Sequence, residues 1–254
     1  FEGVHFLFKD NVDLAADWVP IGINNDTYFR GTIDGGGHQL TVAKGGKSLL
    51  GYTQNATVKN LVIYGEQIDG YGLVENYVVS RATKVIDIID VRIKTGSKIK
   101  MSGFIGGYAS GKNNVLISNC TVDEGVTIGY TKDQDHIGSF AGELNGTIIN
   151  CTSKADVYGK NCVGGIVGNK GQSMGEFVVR NCSFDGTVTA TGEYAGGIVG
   201  AGYDGNGTAP NTPGVTIQNC RSNAAVQGKD KVGGILGGEP DLAQCWDNGI
   251  GYIQ

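Results

Sequence analysis

The stretch GGIVG at residues 164–168 recurs unchanged at 196–200 and, with one leucine, as GGILG at 233–237. Related segments precede it, in chain order SLLG at 48–51, YGLV at 71–74, SGFIG at 102–106 and GSFAG at 138–142. They return about every 30 residues. A repeat of this length predicts an array in which each unit buries its apolar face against its neighbours.

Two further columns of residues recur in a fixed order within the repeat. The first is a polar residue, at Asn60, Asp90, Asn119, Asn150, Asn181 and Asn219, and the last four are followed by Cys120, Cys151, Cys182 and Cys220. The second is an aliphatic residue, at Ile68, Ile99, Ile128, Val157, Val188 and Val226. Asn and Asp tolerate left-handed backbone, so the polar column is expected at a turn. The aliphatic column is expected to face the core.

Each unit therefore contains three short extended segments separated by Gly, Asn and Asp turns. Apolar residues alternate within them, as at 58–63, and helical periodicity is absent apart from a short stretch near 13–18. This pattern predicts an all-β chain folded as a right-handed, single-stranded parallel β-helix of about seven to eight coils of ~30 residues. We predict a single domain with a capping segment and first coil at 1–47, repeats at 48–237, and a cap or further coil at 238–254.

Composition and charge limit the classes of partner that this chain can bind. Glycine provides 44 of 254 residues, about 17% against a usual level of about 7%. The net charge of −5 argues against a nucleic-acid or anionic membrane partner, and no apolar run reaches the ~20 residues of a membrane span. The chain begins at Phe1 without a signal peptide, which we interpret as a mature protein or an excised domain.

The repeat resembles a known family. The glycine-aliphatic motifs, together with W-V-P-I-G at 18–22 and F-R-G-T-I-D-G-G-G-H at 29–38, are similar to the GLUG-type repeats of bacterial surface proteins. Such repeats also occur in non-catalytic regions of immunoglobulin-A-specific metallopeptidases. The resemblance implies a secreted or cell-surface bacterial protein, adhesin-like and usually multidomain. The His-Glu-x-x-His zinc motif of those peptidases is missing, so peptidase activity is not implied.

The cysteines allow two interpretations. A column of four thiols could bind a metal, but one cysteine per coil with no Cys-x-x-Cys pair favours a buried ladder of small apolar side chains. Parallel stacked side chains are poorly aimed for disulfides. Cys162 and Cys245 stand outside the column, and the sequence leaves their pairing open.

Acidic residues are the candidates for chemistry. Asp87 and Asp90 lie close to Arg92, although Asp90 also fits the polar turn column. The insertion KDQDH at 132–136 places Asp133, Asp135 and His136 together. These three could bind calcium or a sugar, or act in acid–base catalysis; a solvated polar loop is the alternative. No second carboxylate pair aligns one coil away, which argues against a glycosidase or lyase.

Loops after the glycine motif provide the other candidates. Insertions at 107–114, 169–176 and 201–214 should stack along one edge, and such loops often form the binding face of a solenoid. The residues that we select there and in the neighbouring turns are Tyr108, Tyr130, Tyr203 and Asp204.

These features predict a non-catalytic, adhesin-like extracellular module that presents stacked loops to a glycan or a host surface protein. The alternatives are a carbohydrate-active β-helix enzyme and a spacer within a larger surface protein or peptidase. We predict no catalytic residue and no bound metal or cofactor, with calcium left open. Other domains of the same polypeptide are expected partners.

Overall fold

The structure is a computed structural model that describes residues 3–24, 26–77, 84–106, 115–170, 177–202, 215–238 and 246–247. All regular elements in this part of the chain are β-strands. They are β1 His5–Leu7, β2 Val12–Leu14, β3 Thr32–Asp34, β4 Gln39–Val42, β5 Leu50–Thr53, β6 Ala56–Tyr64, β7 Val74–Tyr77, β8 Ile86–Ile93, β9 Lys98–Ile99, β10 Val115–Ser118, β11 Thr121–Val122, β12 Thr127–Ile128, β13 Ile137–Gly138, β14 Ala141–Leu144, β15 Gly146–Ile149, β16 Thr152–Ser153, β17 Asp156–Gly159, β18 Val163–Gly164, β19 Val167–Lys170, β20 Phe177–Arg180, β21 Ser183–Phe184, β22 Thr187–Ala190, β23 Glu193–Gly196, β24 Val199–Ala201, β25 Val215–Gln218, β26 Arg221–Ser222, β27 Ala225–Gln227, β28 Asp230–Gly233, β29 Leu236–Gly238 and β30 Trp246–Asp247.

Every pairing between these strands is parallel, and each strand pairs with its equivalents in the neighbouring units. The predicted aliphatic column is in exact register from Ile68 to Val226, through the successive pairs of β9, β12, β17, β22 and β27. All its members except the half-buried Val226 are buried. The chain is therefore an all-β solenoid with the layout of a β-helix, and its core is the stack of inward-facing columns.

The polar column adopts the left-handed backbone that the sequence predicts. Asn60, Asp90, Asn119, Asn150, Asn181 and Asn219 have φ angles of 52°, 55°, 54°, 56°, 54° and 52°. The side-chain amides hydrogen-bond along the stack, with Asn150 donating to Asn119 at 3.3 Å and Asn181 donating to Asn150 at 3.1 Å. Each coil thus bends at a residue type that tolerates positive φ, and its turn is linked to the next.

The glycine motif was expected to form one strand of each unit, but it contributes to two. Residues 164 and 167 lie in two different sheets, because the chain bends within GGIVG. The unit beginning at Val115 consequently holds five short strands, β10 to β14, instead of three. The bend brings successive coils so close that a Cβ on Gly197 would lie 2.1 Å from the carbonyl oxygen of Gly234. Only glycine fits such an approach.

The N-terminal segment is itself a stacked layer. Strands β1 and β2 pair with β3 and β4, and the stretch near 13–18 contains the end of β2 and no helix. The Trp18 indole donates a hydrogen bond of 3.4 Å to the Leu49 carbonyl. Within the described residues, no helix has the length and apolarity that a membrane crossing requires.

Candidate ligand-binding groove

A second left-handed column lies opposite the asparagine turn. His136, Cys162, Tyr194 and Lys231 have φ angles of 57°, 55°, 64° and 53°. They are stacked because the residue after each one pairs in register with its equivalent, from Ile137 through Val163 and Ala195 to Val232. Unlike the asparagine column, this column uses four different residue types. It marks the corner where the sheet of β12, β17 and β22 meets the sheet of β13, β18 and β23.

An open groove of about 850 Å³ runs along this corner and crosses successive coils. It is lined by Lys132, Asp133, Asp135, His136, Lys160, Asn161, Cys162, Thr191, Gly192, Glu193, Tyr194 and Lys229. The predicted acidic insertion therefore forms one end of the groove, in the connection between β12 and β13. The next three coils provide the remainder.

Hydrogen bonds between coils fix the acidic residues of the groove. Asp135 accepts hydrogen bonds from the backbone N–H and the side-chain amide of Asn161, at 3.0 and 2.9 Å. The Asn161 side-chain oxygen in turn accepts one from the Glu193 N–H at 3.0 Å. Glu193 pairs with Lys231 at 2.7 Å. In the backbone column that contains Asp135, Asn161 lies in the next coil, and Glu193 and Asp230 follow in the two coils after it. No carboxylate of this column therefore lies one coil from Asp135.

The lysines of the groove have different surroundings. Lys132 lies over the ring of Tyr158, with its Nζ 4.6 Å from the ring centroid. Lys160 and Lys229 are exposed, and among the described residues neither forms an ion pair or a side-chain hydrogen bond. Their backbones belong to one column that is interrupted by Gly192, whose N–H donates to the Lys160 carbonyl and whose carbonyl accepts from the Lys229 N–H.

Tyr130 and Asp133 lie at the margin of the insertion. The Tyr130 hydroxyl donates a hydrogen bond of 2.5 Å to Asp69, two coils away, and burial together with this bond raises the pKa of Tyr130 to about 12. Hydrogen bonds from Gln67 and Tyr130 lower the pKa of Asp69. Asp133 is exposed, and hydrogen bonds from Thr131 and Gln134 lower the pKa of its carboxyl. Both predicted residues are therefore held by neighbouring side chains.

A buried polar cluster lies behind the groove. His136 Nδ1 is 3.7 Å from a carboxylate oxygen of Glu143, which is only 6% exposed. Glu143 aligns with Asn169 of the next coil. Asn169 is fully buried, and neither atom of its amide has a hydrogen-bond partner within the described structure.

Several predicted features fall elsewhere. Tyr108, Tyr203 and Asp204, like most of the three loop insertions, lie outside the described residues. Asp90 occupies the left-handed column, Asp87 pairs with Lys84 at 2.5 Å, and Arg92 makes a bidentate pair with Asp123, so these residues are engaged within the fold. No group of three or more His, Cys, Asp or Glu side chains that could hold a metal ion occurs among the described residues.

The four cysteines of the repeat are buried and form no disulfide in the described part of the chain. Their sulfurs accept hydrogen bonds from the preceding coil, as from the Cys120 N–H to Cys151 Sγ at 3.4 Å, and donate to nearby carbonyls. Burial raises the pKa of the Cys151 thiol. A buried, protonated thiol is a packing group and a poor nucleophile. Cys162 is buried at the groove, and Cys245 lies outside the described residues.

Several residues of the groove were missed from sequence, namely Lys160, Asn161, Thr191, Glu193, Tyr194 and Lys229. A signal was available. Each lies one to five positions before the aliphatic-Gly step that opens a glycine motif, as in KNCVG at 160–164 and GEYAG at 192–196. Aligning the residues that precede each motif would have placed them in adjacent columns of one surface.

Comparisons with known proteins agree with this architecture. The family described as the GLUG motif matches 159–189, which comprises one side of the groove and the coil that follows it. A solved structure from Bacteroides ovatus, described as a "putative immunoglobulin A1 protease", has a TM-score of 0.62 and 17% identity, covering 98% of this chain and 76% of that one. The likeness shows a shared fold.

A curated relative is halomucin of Haloquadratum walsbyi. It is 31% identical over 102 residues, which are 38% of this chain. The matched segment spans 1% of the length of halomucin. The chain is therefore similar to a small part of a much longer protein.

Proposed function

We propose that this chain is a non-catalytic, adhesin-like binding module of a secreted or cell-surface bacterial protein, and that it contacts a glycan or a host surface protein through the groove. The observation that carries the proposal is the corner itself. Four successive coils contribute charged and hydrogen-bonding side chains to one open groove, at the place where the repeat has no fixed residue type. The regular columns elsewhere are used for packing and turns.

The comparisons support a surface role. The sequence resembles the GLUG-type repeats of bacterial surface proteins, and the GLUG motif matches 159–189. The similar solved structure is described as a protease, but the His-Glu-x-x-His zinc motif is absent from this sequence. The proposal includes the finer architecture, a right-handed coil of about seven to eight turns, because parallel crossover connections are almost always right-handed. Other domains of the same polypeptide are proposed neighbours, and the chain acts either as their spacer or as their binding face.

A binding screen tests the proposal. The chain is applied to a glycan array and to a panel of host extracellular-matrix proteins, beside a Thr191→Arg variant that places a long side chain in the groove. Thr216→Arg is the matched control, since Thr216 is exposed on β25 outside the groove. We expect ligand signals that Thr191→Arg removes and Thr216→Arg retains. No signal from the wild type on either panel would contradict the proposal.

A carbohydrate-active enzyme is the second candidate, because carboxylates and lysines of successive coils share one groove. Asp135 and Glu193 are two coils apart, which places their backbones roughly 9–10 Å apart. Against catalysis, both carboxylates are engaged by Asn161 and Lys231. Release of reducing ends or unsaturated sugars from a polysaccharide panel tests this candidate. Activity that both Asp135→Asn and Glu193→Gln abolish would establish it, and absence of turnover on every polysaccharide would remove it.

A further inference from the structure

Three lysines and three acidic residues line the groove, but the lysines are more available to a ligand than the acids. Each acid already accepts a hydrogen bond: Asp135 from Asn161, Glu193 from Lys231 and Asp133 from Gln134. A carboxylate whose lone pairs are occupied has less to offer a ligand. The ammonium groups of Lys160 and Lys229 retain all their donors, since neither has a partner among the described side chains.

The two lysines are arranged as a pair along the solenoid axis. They occupy the same backbone column two coils apart, which corresponds to roughly 9–10 Å. Gly192 stands between them and contributes no side chain. A Cβ at this position would lie 2.1 Å from the Asn161 side-chain oxygen, so the space between the lysines stays open. This spacing is close to the length of a disaccharide in an extended polysaccharide.

The remaining lining favours a sugar over a protein surface. Thr191 is exposed and carries a neutral hydroxyl group, and apart from the rings of His136 and Tyr194 no apolar side chain larger than that of Cys162 lines the groove within the described residues. Protein interfaces instead depend on aromatic and apolar anchors in desolvated pockets. Open, polar grooves suit ligands that carry many hydroxyl groups.

We infer that the groove binds an anionic glycan, with Lys160 and Lys229 contacting negative groups on successive repeating units of one chain. The inference rests on the proposed function and names its ligand class. Lysine contacts an anion as a point charge. Carboxylated and sulfated polysaccharides therefore share the relevant chemistry, and binding should weaken as salt increases.

The experiment measures binding of the whole chain to immobilised polygalacturonate, dextran sulfate and neutral dextran. The test variant is Lys160→Gln/Lys229→Gln. The control is Lys98→Gln/Lys154→Gln, which removes the same charge from exposed positions outside the groove. We expect the test variant to bind at least one anionic polysaccharide about tenfold more weakly, and the control to bind like the wild type.

The outcomes separate this inference from the proposed function. Preference for dextran sulfate or for polygalacturonate supports the inference and identifies the anionic group. An equal loss in the control variant overturns it, because the attraction would then be a property of the whole surface. Equal binding to neutral dextran, or no binding to any of the three polysaccharides, also overturns it. A host protein or neutral glycan bound in the wider screen would still sustain the proposed function.

Discussion

At the scale of single residues, the asparagine column couples backbone conformation to stacking. Asn150 has a φ of 56° and is linked to Asn119 and Asn181 by side-chain amides. Asn150→Gly keeps the backbone and loses the amide links, whereas Asn150→Ala also places a Cβ in the left-handed region. We expect Asn150→Ala to be less stable than Asn150→Gly by about 1 kcal/mol. Urea unfolding of the two variants measures this difference, and equal midpoints would contradict the assignment of strain.

Asp34 gives the fold a predictable response to acid. A hydrogen bond from the Gly36 N–H, and then one from Asn60, lowers the pKa of Asp34 below its ordinary value of 3.8. The carboxylate therefore stabilises the fold above the unfolded pKa, and this stabilisation is lost as pH falls through the lowered folded pKa. Asp34→Asn removes the titrating group. We expect the wild type to lose stability more steeply than Asp34→Asn from about pH 5 to about pH 2 in urea titrations. Parallel curves for the two proteins would contradict this expectation.

At the scale of strands and turns, the glycine corner limits how closely coils stack. A Cβ on Gly197 would meet the Gly234 carbonyl at 2.1 Å and the Ser222 hydroxyl at 2.3 Å, so backbone must move. We expect Gly197→Ala to cost about 2–3 kcal/mol. Gly228→Ala is the milder comparison, because a Cβ there would lie 2.9 Å from a methyl of the exposed Val232 and 3.0 Å from the Ala195 Cβ, and its nearest backbone atom would be 3.7 Å away. Thermal melting compares them, and a Gly197→Ala melting temperature equal to that of Gly228→Ala would show that the corner can relax.

The sequence predicted the columns but only one end of the groove, for one physical reason. A buried column restricts residue type through packing, and the asparagine column does so through its ladder of side-chain amides, so Ile, Val and Asn recur and reveal their own spacing. The groove column tolerates His136, Cys162, Tyr194 and Lys231, because backbone hydrogen bonds of the neighbouring strands hold it in place whatever the side chain. Its residues leave no repeated letter. The extra bend within GGIVG was missed for a related reason. The spacing of the glycines indicates that the backbones of successive coils approach closely, but it does not indicate that the chain turns there into a second sheet.

At the scale of the whole molecule, stability comes from stacking. Each coil covers the apolar column of the next, so a coil at either end has one face without this cover. At the N-terminal end β1 and β2 provide the cover for β3 and β4, and Leu14 of β2 is buried whereas Leu7 of β1 is 51% exposed. The first described strands therefore act as part of the solenoid.

Removing this layer should affect the entire array. Deletion of 1–28 exposes the edges of β3 and β4 and the buried side chains of Ile33 and Leu40. Exposed parallel edges pair readily with other chains, so we expect aggregation or loss of the cooperative melting transition. Leu7→Asp is the control, since this side chain is already largely exposed and its substitution should leave melting unchanged. Size-exclusion chromatography and circular dichroism measure both variants. A soluble, monomeric deletion variant with the melting temperature of the wild type would show that the solenoid needs no cover at this end, because the remaining coils would then be self-sufficient.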